Sequence, residues 1–578
     1  MRPAAFSPER LLDRWCAGLR GYALIALIAL AAALPGVFRV PPLDRDEARF
    51  AQATVQMLET GDFLRIAVQD APRNKKPIGI HWLQAASVAA LSSPEAREVW
   101  AYRLVSAAGA LLAALACLWG GTVLVGRKAA FLGAALYAAT LLAATEAMIA
   151  KTDSVLCGLT TLALAALARL RFAPARPRAL ALVFWAALGL GVLIKGPVTP
   201  LAAGLCLAAL FFWERQPGWM RPLLWPAGPA LAAAIAAPWF IAIGMATKGA
   251  FFAEAVGGDI GGKLTGGDEG HGGPPGYHLL LAPLLLFPAI IAAPAAVRLA
   301  AVRLRAGGAQ AAPLRFLIAW AAPLWAVFEI MPTKLPHYVL PAYPALALLC
   351  GAGLIAAYEQ NWRKTRLSGA LFFLFAVAGM AAACAFLSTL APGDVAAGAR
   401  RALQCVILLA AIFLALLVAF IAARGPGVAA ASAVAAALVF AFTARERILP
   451  EARAWLVSAE TNDALIRAGL HPRLSPHAGA LISSGFNEPS FIFLTRTDTR
   501  LLPGQAAGDV AQPGETIVVE ARQRAALAQA LRARGLAFEA VGGDVEGFNY
   551  AGGDPVKIAI GRVRAAGDAP ETARSPPP

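Results

Sequence analysis

Residues 22–50 read YALIALIALAAALPGVFRVPPLDRDEARF, an apolar run that ends in a cluster of charge. The run over 22–38 is close to the ~20 residues that a helix needs to cross ~30 Å of hydrocarbon. The stretch over 40–84 then places five charged residues within 44–49 and two lysines just before Pro77. Carboxylate and ammonium clusters that follow a membrane span favour chemistry on an anionic lipid.

Apolar runs of this kind recur along the chain. Of its 578 residues, 59% are hydrophobic and 15% are charged, whereas a soluble protein has roughly 25% charged residues. The first run is too well embedded in this pattern to be a cleaved signal peptide. The sequence therefore predicts a polytopic α-helical membrane protein. Thirteen spans are expected, at about residues 22–38, 104–125, 129–150, 154–170, 179–194, 198–213, 223–243, 279–297, 316–330, 339–358, 367–387, 403–421 and 428–442.

The net charge of +16 comes mostly from short loops between these runs, which orients the chain in a bilayer and does not indicate nucleic acid. Alternate loops carry most of the Lys and Arg residues, so these loops should be cytoplasmic. With an odd number of spans, the N-terminus lies inside and the C-terminal part outside. The apolar segment Ile78–Leu91 is only about 14 residues long, which is short for a span. We expect it to lie along the outer surface.

The composition changes near residue 445, which gives three predicted parts: 1–444 in the membrane, 445–563 as a periplasmic α/β domain and 564–578 as a disordered tail. Strands are predicted at 480–483, 491–494, 516–520, 538–541 and 556–560, with a helix at 522–534. All seven cysteines lie in or beside the apolar region, so neither a disulfide framework nor a zinc cluster is expected in the C-terminal domain.

The predicted topology gathers polar motifs on the outer face. Besides the first outer loop (40–103), four further segments lie there: 151–153, 195–197, 257–276 and 333–338. This convergence on one side of the membrane is the main internal indication of an active site.

Asp46 and Glu47 are the candidate catalytic pair in the first loop. A general base must be a carboxylate or a histidine within hydrogen-bond reach of the acceptor, with a pKa that burial can adjust. The alternative is that both carboxylates only solvate the loop and pair with Arg45 and Arg49. Charge at a membrane surface is functional by default, which favours catalysis.

Arg49 and Lys76 are candidate ligands of a phosphate group, Arg as a bidentate fork and Lys as a point charge. Contact with lipid headgroups is the alternative. Asp153 ends the third span, where it either caps the next helix or joins the outer pocket as a second polar group. Lys195 and Lys334 are weaker candidates, because lysines at span ends commonly snorkel.

The segment 257–276 has ten glycines in twenty residues, so its backbone has no fixed conformation of its own. A lid that orders over a bound lipid is the functional interpretation, and a plain linker is the alternative. Lys263 and His271 are its candidate contact residues. Phosphate-loop, dinucleotide and Ser-His-Asp signatures are absent from the sequence. The sequence identifies no cofactor or metal ligand, and it leaves the use of a divalent metal open.

These motifs resemble one family of membrane enzymes. An Asp-Glu pair after the first span, a Lys-Pro that closes the first outer loop, an Asp after the third span and the segment KLPHYVLP (334–341) are similar to the bacterial lipid A aminoarabinose transferases. The related protein O-mannosyltransferases share them, and the family has the GT-C membrane glycosyltransferase fold. The resemblance covers roughly residues 22–442 and is strongest over 43–84.

The resemblance implies roles for individual residues. Asp46 matches the proposed catalytic carboxylate, with Glu47 and Asp153 in the same catalytic group. Arg49, Lys76 and Lys195 match positions that face the donor phosphate. The candidates for lid or acceptor contacts are Lys263, His271, Lys334, His337 and Tyr338.

One position departs from the family pattern. Aminoarabinose transferases tend to read Glu-Lys-Pro where this chain reads Lys75-Lys76-Pro77. The resemblance therefore leaves the donor sugar open, between an amino sugar and a neutral or acidic one.

The sequence therefore predicts a glycosyltransferase of the bacterial inner membrane. Its expected partners are a polyprenyl phosphate-linked sugar as donor, lipid A or another lipopolysaccharide component as acceptor, and the surrounding membrane lipids. A protein O-mannosyltransferase is the alternative within the class. From other classes, a polyprenol or lipid transporter should show polar residues near the midplane and paired half-repeats, and neither is seen. A binding module with a membrane anchor leaves thirteen spans unexplained.

Overall fold

The computed structural model describes residues 8–43, 45–262, 272–389, 395–476, 478–550 and 553–567. It is a helical membrane protein with a small C-terminal sheet domain, which confirms the predicted fold class. The first ten helices are α1 Pro8–Trp15, α2 Gly18–Ala33, α3 Asp46–Thr60, α4 Gly79–Leu91, α5 Val99–Leu124, α6 Arg127–Ala138, α7 Leu141–Met148, α8 Asp153–Phe172, α9 Pro177–Lys195 and α10 Val198–Glu214. A two-stranded hairpin, β1 Ala67–Val68 and β2 Ala71–Pro72, lies between α3 and α4.

The remaining membrane helices follow in chain order. They are Ala227–Ala246, Ala250–Phe252, Tyr277–Leu285, Ala293–Ala306, Gly308–Ile330, Tyr343–Glu359, Arg363–Thr389, Val395–Ile421 and Pro426–Thr443. Tighter 3-10 turns occur at Pro217–Leu224, Ala289–Ala292 and Pro336–Ala342.

Within the described residues, eight helices are long and apolar enough to cross a membrane. Two bent pairs add to these: α6 with α7, which meet at 53°, and Tyr277–Leu285 with Ala289–Ala306, which meet at 101°. Three shorter apolar helices are Gly18–Ala33, Val198–Glu214 and Ile412–Ile421. Each of the thirteen predicted spans overlaps one of these elements. The short segment Ile78–Leu91 forms α4, and its place along the outer surface stays a prediction.

The C-terminal domain is a mixed sheet of six strands. These are β3 Leu481–Ser484, β4 Arg500–Leu501, β5 Thr516–Glu520, β6 Leu536–Ala540, β7 Val545–Asn549 and β8 Asp554–Ala565. The order is β4-β3-β5-β8-β6, with β7 also paired to β8. Both pairings of β3 are parallel, whereas β5, β6 and β7 pair with β8 antiparallel. The domain helices are Val457–Arg467, Pro489–Leu494, Gly504–Val510 and Arg524–Ala533.

One strand prediction is wrong. Residues 491–494 lie in the helix Pro489–Leu494, which is apolar all round because both of its faces are buried. Phe491 packs with Leu481 and Val518 of the sheet, whereas Phe493 packs with Val55 and Tyr102 of the membrane part. A short apolar run gives no periodicity that would separate such a helix from a strand.

The helices α5 and α8 pack against each other through glycine. A Cβ on Gly109 would lie 2.6 Å from the backbone of Val155, and a Cβ on Gly158 would lie 2.6 Å from the carbonyl oxygen of Gly109. Such close approach of small residues is typical of membrane helix pairs. Two serines also link the pair, since Ser154 donates to the Ser106 carbonyl at 2.7 Å. The first turn of α8 is thereby fixed in place.

Gly109→Ala should therefore destabilise the protein. The added methyl forces the backbones of α5 and α8 apart, and overpacking of this kind costs about 1–3 kcal/mol. Thermal unfolding of the purified protein in detergent measures the change. Gly204→Ala in α10 is the matched control, because no atom lies within 4 Å of the added Cβ. Equal stability of the two variants would contradict the close packing of α5 on α8.

Candidate active site

An apolar cluster brings the ends of four helices together. It contains Phe50 of α3, Ile80 of α4, Val155 and Leu156 of α8, and Ile194 of α9. Each of these residues is within four positions of a polar residue that the sequence singles out. The cluster thus forms a floor on which the first turns of α3, α4 and α8 meet the last turn of α9.

Asp153 is at the centre of the polar groups above this floor. Its Oδ1 accepts a hydrogen bond from Lys195 Nζ at 2.5 Å and lies 3.6 Å from His337 Nε2. Lys195 Nζ also lies 5.7 Å from the ring centre of Tyr338. Four predicted site residues are therefore neighbours, although they come from three separate segments of the chain. The N-cap of α8 is Thr152, whereas Asp153 is the first residue of the helix and directs its carboxylate to this cluster.

Two buried residues complete the cluster, and the sequence reasoning did not assign them a role. Lys151 Nζ lies 3.0 Å from Glu146 Oε2 and 3.9 Å from Asp153 Oδ2. His337 Nδ1 lies 3.7 Å from Glu146 Oε1. Burial alone would lower the pKa of Lys151, but the carboxylates of Glu146 and Asp153 raise it above the ordinary value. A glutamate in an otherwise apolar run was the signal that could have revealed Glu146.

Glu47 is engaged in a buried ion pair with Arg103 of α5. Arg103 donates to both carboxylate oxygens, at 2.8 and 2.7 Å. The backbone amides of Leu43 and Ala150 each add a hydrogen bond at 2.8 Å. Arg103 also donates to the carbonyl of Val40 at 2.6 Å. Both side chains are about 99% buried or more.

These contacts correct the role expected for Glu47. A carboxylate whose oxygens already accept four hydrogen bonds has little capacity left for a substrate proton. We assign Glu47 a positioning role, because its bond to Ala150 ties the start of α3 to the loop that carries Lys151.

Asp46 differs from its neighbour. It is the first residue of α3 and is exposed. Its carboxylate has no hydrogen-bond or ion-pair partner in the described part of the chain, and its charge is among those that raise the pKa of Lys151. The preceding residue, Arg45, has a φ of 64°, a conformation that is rare outside glycine and often found at functional sites. Asp46 is therefore an open carboxylate beside the Lys151 cluster.

The turn that precedes α4 lies beside the end of α9. A Cβ on Gly79 would lie 2.7 Å from the carbonyl oxygen of Leu193, two residues before Lys195. Lys76 is half-buried just before this contact, and Lys75 is exposed. Arg49 is half-buried and adjoins Phe50 of the floor. Arg49, Lys76 and Lys195 thus come from elements that meet at one place.

The remaining predicted residues lie elsewhere or outside the described residues. Lys334 donates to the carbonyls of Met331 and Gly273, at 2.8 and 3.0 Å, so it fastens a helix end to the segment after the glycine-rich loop. Lys263 and His271 fall outside the described residues. Among the residues that the structure describes, no group of three or more His, Cys, Asp or Glu side chains is arranged to hold a metal ion.

Comparison with known proteins gives two kinds of match. The family model described as dolichyl-phosphate-mannose-protein mannosyltransferase matches residues 29–248. Over 94% of this chain and 97% of the other, the fold is similar to that of ArnT from Cupriavidus metallidurans bound to undecaprenyl phosphate, with a TM-score of 0.72 and 18% sequence identity. The chain therefore has the GT-C membrane fold. The fold predicted from the sequence is thus confirmed, and the chain is a multi-pass membrane protein.

Curated relatives are similar to part of the chain. Undecaprenyl phosphate-alpha-4-amino-4-deoxy-L-arabinose arabinosyl transferase from Pseudomonas aeruginosa (strain LESB58) is 28% identical over 336 residues, which cover 55% of this chain and 58% of that protein. The enzyme of the same name from Aeromonas salmonicida (strain A449) is 27% identical over 372 residues, 60% of this chain and 64% of that protein. The chain spans less than two thirds of the length of these relatives.

Proposed function

We propose that this GT-C protein transfers a sugar from a polyprenyl phosphate donor to lipid A or another lipopolysaccharide component. The reaction takes place at the periplasmic face of the bacterial inner membrane. The observation that carries the proposal is the open carboxylate of Asp46 beside the buried Lys151–Asp153–Lys195 cluster. The names of the curated relatives support the same donor and sugar-transfer chemistry.

In the proposed reaction, Asp46 accepts the proton of the acceptor hydroxyl or phosphate. The acceptor oxygen then forms a bond to the anomeric carbon, and the bond from that carbon to the donor phosphate breaks. The polyprenyl phosphate leaves with the electron pair of the broken bond. Because one acceptor attacks and no covalent intermediate forms, the anomeric centre is inverted.

Cations at the meeting point of α3, α4 and α9 stabilise the departing phosphate. Arg49 supplies a planar fork, and Lys76 and Lys195 supply point charges. Charge that develops on the phosphate oxygen is stabilised best by donors that are already in position. The contact between Asp153 and Lys195 holds that ammonium group in position before the substrate arrives.

Mass spectrometry of lipid A and core oligosaccharide tests the proposal. Deleting the gene should remove one sugar substituent from lipopolysaccharide, and the wild-type gene should restore it. The second candidate function is protein mannosylation, which the description of the matching family model favours. Mass spectrometry of membrane and secreted proteins from the same strains tests it. If deletion leaves the lipopolysaccharide spectra unchanged but removes a glycan from a protein, the acceptor is a protein and not lipopolysaccharide.

The orientation of the site is a further prediction. The helix α8 starts at Asp153 and α9 ends at Lys195, so the turn between them lies at the opposite membrane face from the cluster. A phosphatase reporter fused after Thr443 should be active outside the cytoplasm. A cysteine placed at Ala175 should be inaccessible to a membrane-impermeant thiol reagent. Cytoplasmic activity of the fusion would reverse the proposed active face.

Lys76→Ala should weaken use of the donor. A hydrogen bond to a charged group contributes about 1.5–3 kcal/mol, so the KM for the lipid-linked sugar should rise about 10- to 150-fold. Lys75→Ala is the matched control, because Lys75 is exposed whereas Lys76 is half-buried, so its loss should have the smaller effect. Steady-state kinetics with increasing donor concentration separates the two variants. Equal losses would mean that neither lysine holds the phosphate specifically.

A further inference from the structure

A polar cavity lies away from the active site, between the first outer loop and the C-terminal domain. This outer cleft has a volume of about 1090 Å³. One wall consists of the end of α3, the β1–β2 turn and residues 95–97; the other consists of residues 472–474 and 496–502. Asp46 and Glu59 are at opposite ends of α3, so a rise of 1.5 Å per residue places the part of the cleft at Glu59 about 20 Å from the catalytic carboxylate.

Thr497 joins the two walls through hydrogen bonds. Its hydroxyl accepts from Arg97 Nη2 at 2.7 Å and from Gln52 Nε2 at 3.0 Å, and it donates to Glu59 Oε2 at 2.7 Å. The side chain of Gln69 donates to the carbonyl of Thr497 at 3.0 Å. These bonds fix the shape of the cleft before a ligand arrives, which lowers the entropic cost of binding.

Two arginines lie at the base of the cleft, and one of them pairs with a carboxylate. Arg97, with 2% of its side chain exposed, pairs with Glu59 at 2.5 Å, and its Nε has no hydrogen-bond partner among the described residues. Among the described residues, Arg473 donates to the backbone carbonyls of Thr495 at 2.6 Å and Leu494 at 2.8 Å, and to that of Glu95. Burial and the charge of Arg97 lower the pKa of Arg473 to about 10. The base therefore carries a surplus of positive charge with an unused donor.

The rim of the cleft mixes donors and acceptors. It includes the exposed pair Arg496–Asp498, whose charged atoms are 2.5 Å apart, and the exposed carboxylates of Asp70 and Glu95. Four acidic and four basic side chains line the whole cleft, so it lacks the basic excess that binds nucleic acid. A hydroxyl-rich ligand with an occasional acidic group matches this lining.

The size and the edges of the cleft further restrict the class of ligand that it can bind. Pockets for small molecules measure about 300–1,000 Å³, so the cleft is large enough for several linked sugar rings. The strand β4 at the sheet edge has only two residues, which is too short for a peptide to bind by strand addition.

We propose that the outer cleft binds the hydrophilic oligosaccharide of the lipopolysaccharide acceptor, with its acidic groups near Arg97 and Arg473. The inference rests on the proposed function, since it assigns the acceptor of the same reaction a second point of attachment. A lipid acceptor held about 20 Å from the reacting atoms by its oligosaccharide would be selected by its headgroup while its lipid anchor stays in the bilayer.

Titration calorimetry of the detergent-purified full chain tests this inference without requiring catalysis. The probe is delipidated core oligosaccharide released from lipopolysaccharide by mild acid. Arg496→Ala/Asp498→Ala removes both partners of the rim pair and should weaken binding about tenfold, because two or so hydrogen bonds are lost. Arg453→Ala/Asp463→Ala is the matched control, since this pair at 2.8 Å is similarly exposed and lies outside the cleft.

The kinetic counterpart compares two acceptors. The rim variant should raise the KM for lipid A that bears core oligosaccharide and leave kcat unchanged, with no effect on lipid A alone. Three results would overturn the inference. They are no binding of the oligosaccharide to the wild type, equally weakened binding in the control variant, and competition for the cleft by an unrelated peptide. If the protein transfers sugar to lipid A but does not bind the oligosaccharide, the role of the outer cleft is wrong and the proposed function stands. If it binds the oligosaccharide but transfers no sugar, the proposed function is wrong and the cleft remains a binding site.

Discussion

Asp46→Asn should lower the rate of sugar transfer by about 10²–10⁴-fold, because asparagine keeps the size of the side chain but cannot accept a proton. This corresponds to about 3–5 kcal/mol of barrier. Expression, thermal stability and donor binding should stay close to those of the wild type, since Asp46 is exposed and makes no hydrogen bond or ion pair within the described residues. Single-turnover transfer by purified protein measures the chemical step.

The alternative role of Asp46, as a carboxylate that only solvates the loop, gives different results. Activity would then fall only in proportion to protein level. Asp44→Asn, which changes a neighbouring carboxylate of the same loop, is the control and should be nearly silent. A folded Asp46→Asn protein with a near wild-type rate would remove Asp46 from the mechanism.

Arg103→Met should have the largest effect on stability. It leaves the carboxylate of Glu47 buried without its ion-pair partner, and breaking a buried pair in this way costs about 3–5 kcal/mol. The contact of Glu47 with the Ala150 amide should also weaken, so activity should fall along with stability. Thermal unfolding in detergent gives the first change, and transfer by the remaining folded protein gives the second.

An exposed pair provides the comparison for Arg103. Asp13 and Lys128 are 2.8 Å apart with about half of each side chain exposed, and such pairs contribute at most about 1 kcal/mol. Asp13→Ala should therefore be nearly neutral. If Arg103→Met were equally mild, the buried pair would not be what fixes the start of α3.

Much of the fold could be predicted because its signals are local. Apolar runs of spanning length give the membrane helices directly, and the change of composition near residue 445 gives the sheet domain. The polar motifs at the span ends could also be grouped, since basic loops fix which ends share a face. That reasoning placed Asp153, Lys195 and His337 on one side, and the structure shows them in contact.

Pairing between distant residues could not be predicted in the same way. Nothing near Glu47 in the sequence indicates that Arg103, 56 residues later, takes up its carboxylate. Glu146 and Lys151 lie at the end of an apolar run, and only the bend between α6 and α7 turns them toward His337. The strand predicted at 491–494 is part of a helix, and its apolar run lacks a helical period because contact with the membrane part buries its second face.

The most direct test of the proposed activity is the release of polyprenyl phosphate. Purified protein in proteoliposomes receives a lipid-linked sugar fraction extracted from the membranes of the gene-deletion strain, together with lipid A. The proposed function predicts that free polyprenyl phosphate and glycosylated acceptor appear in equal amounts, and that both are lost in Asp46→Asn. Failure to release polyprenyl phosphate, or release that does not depend on the acceptor, would contradict it.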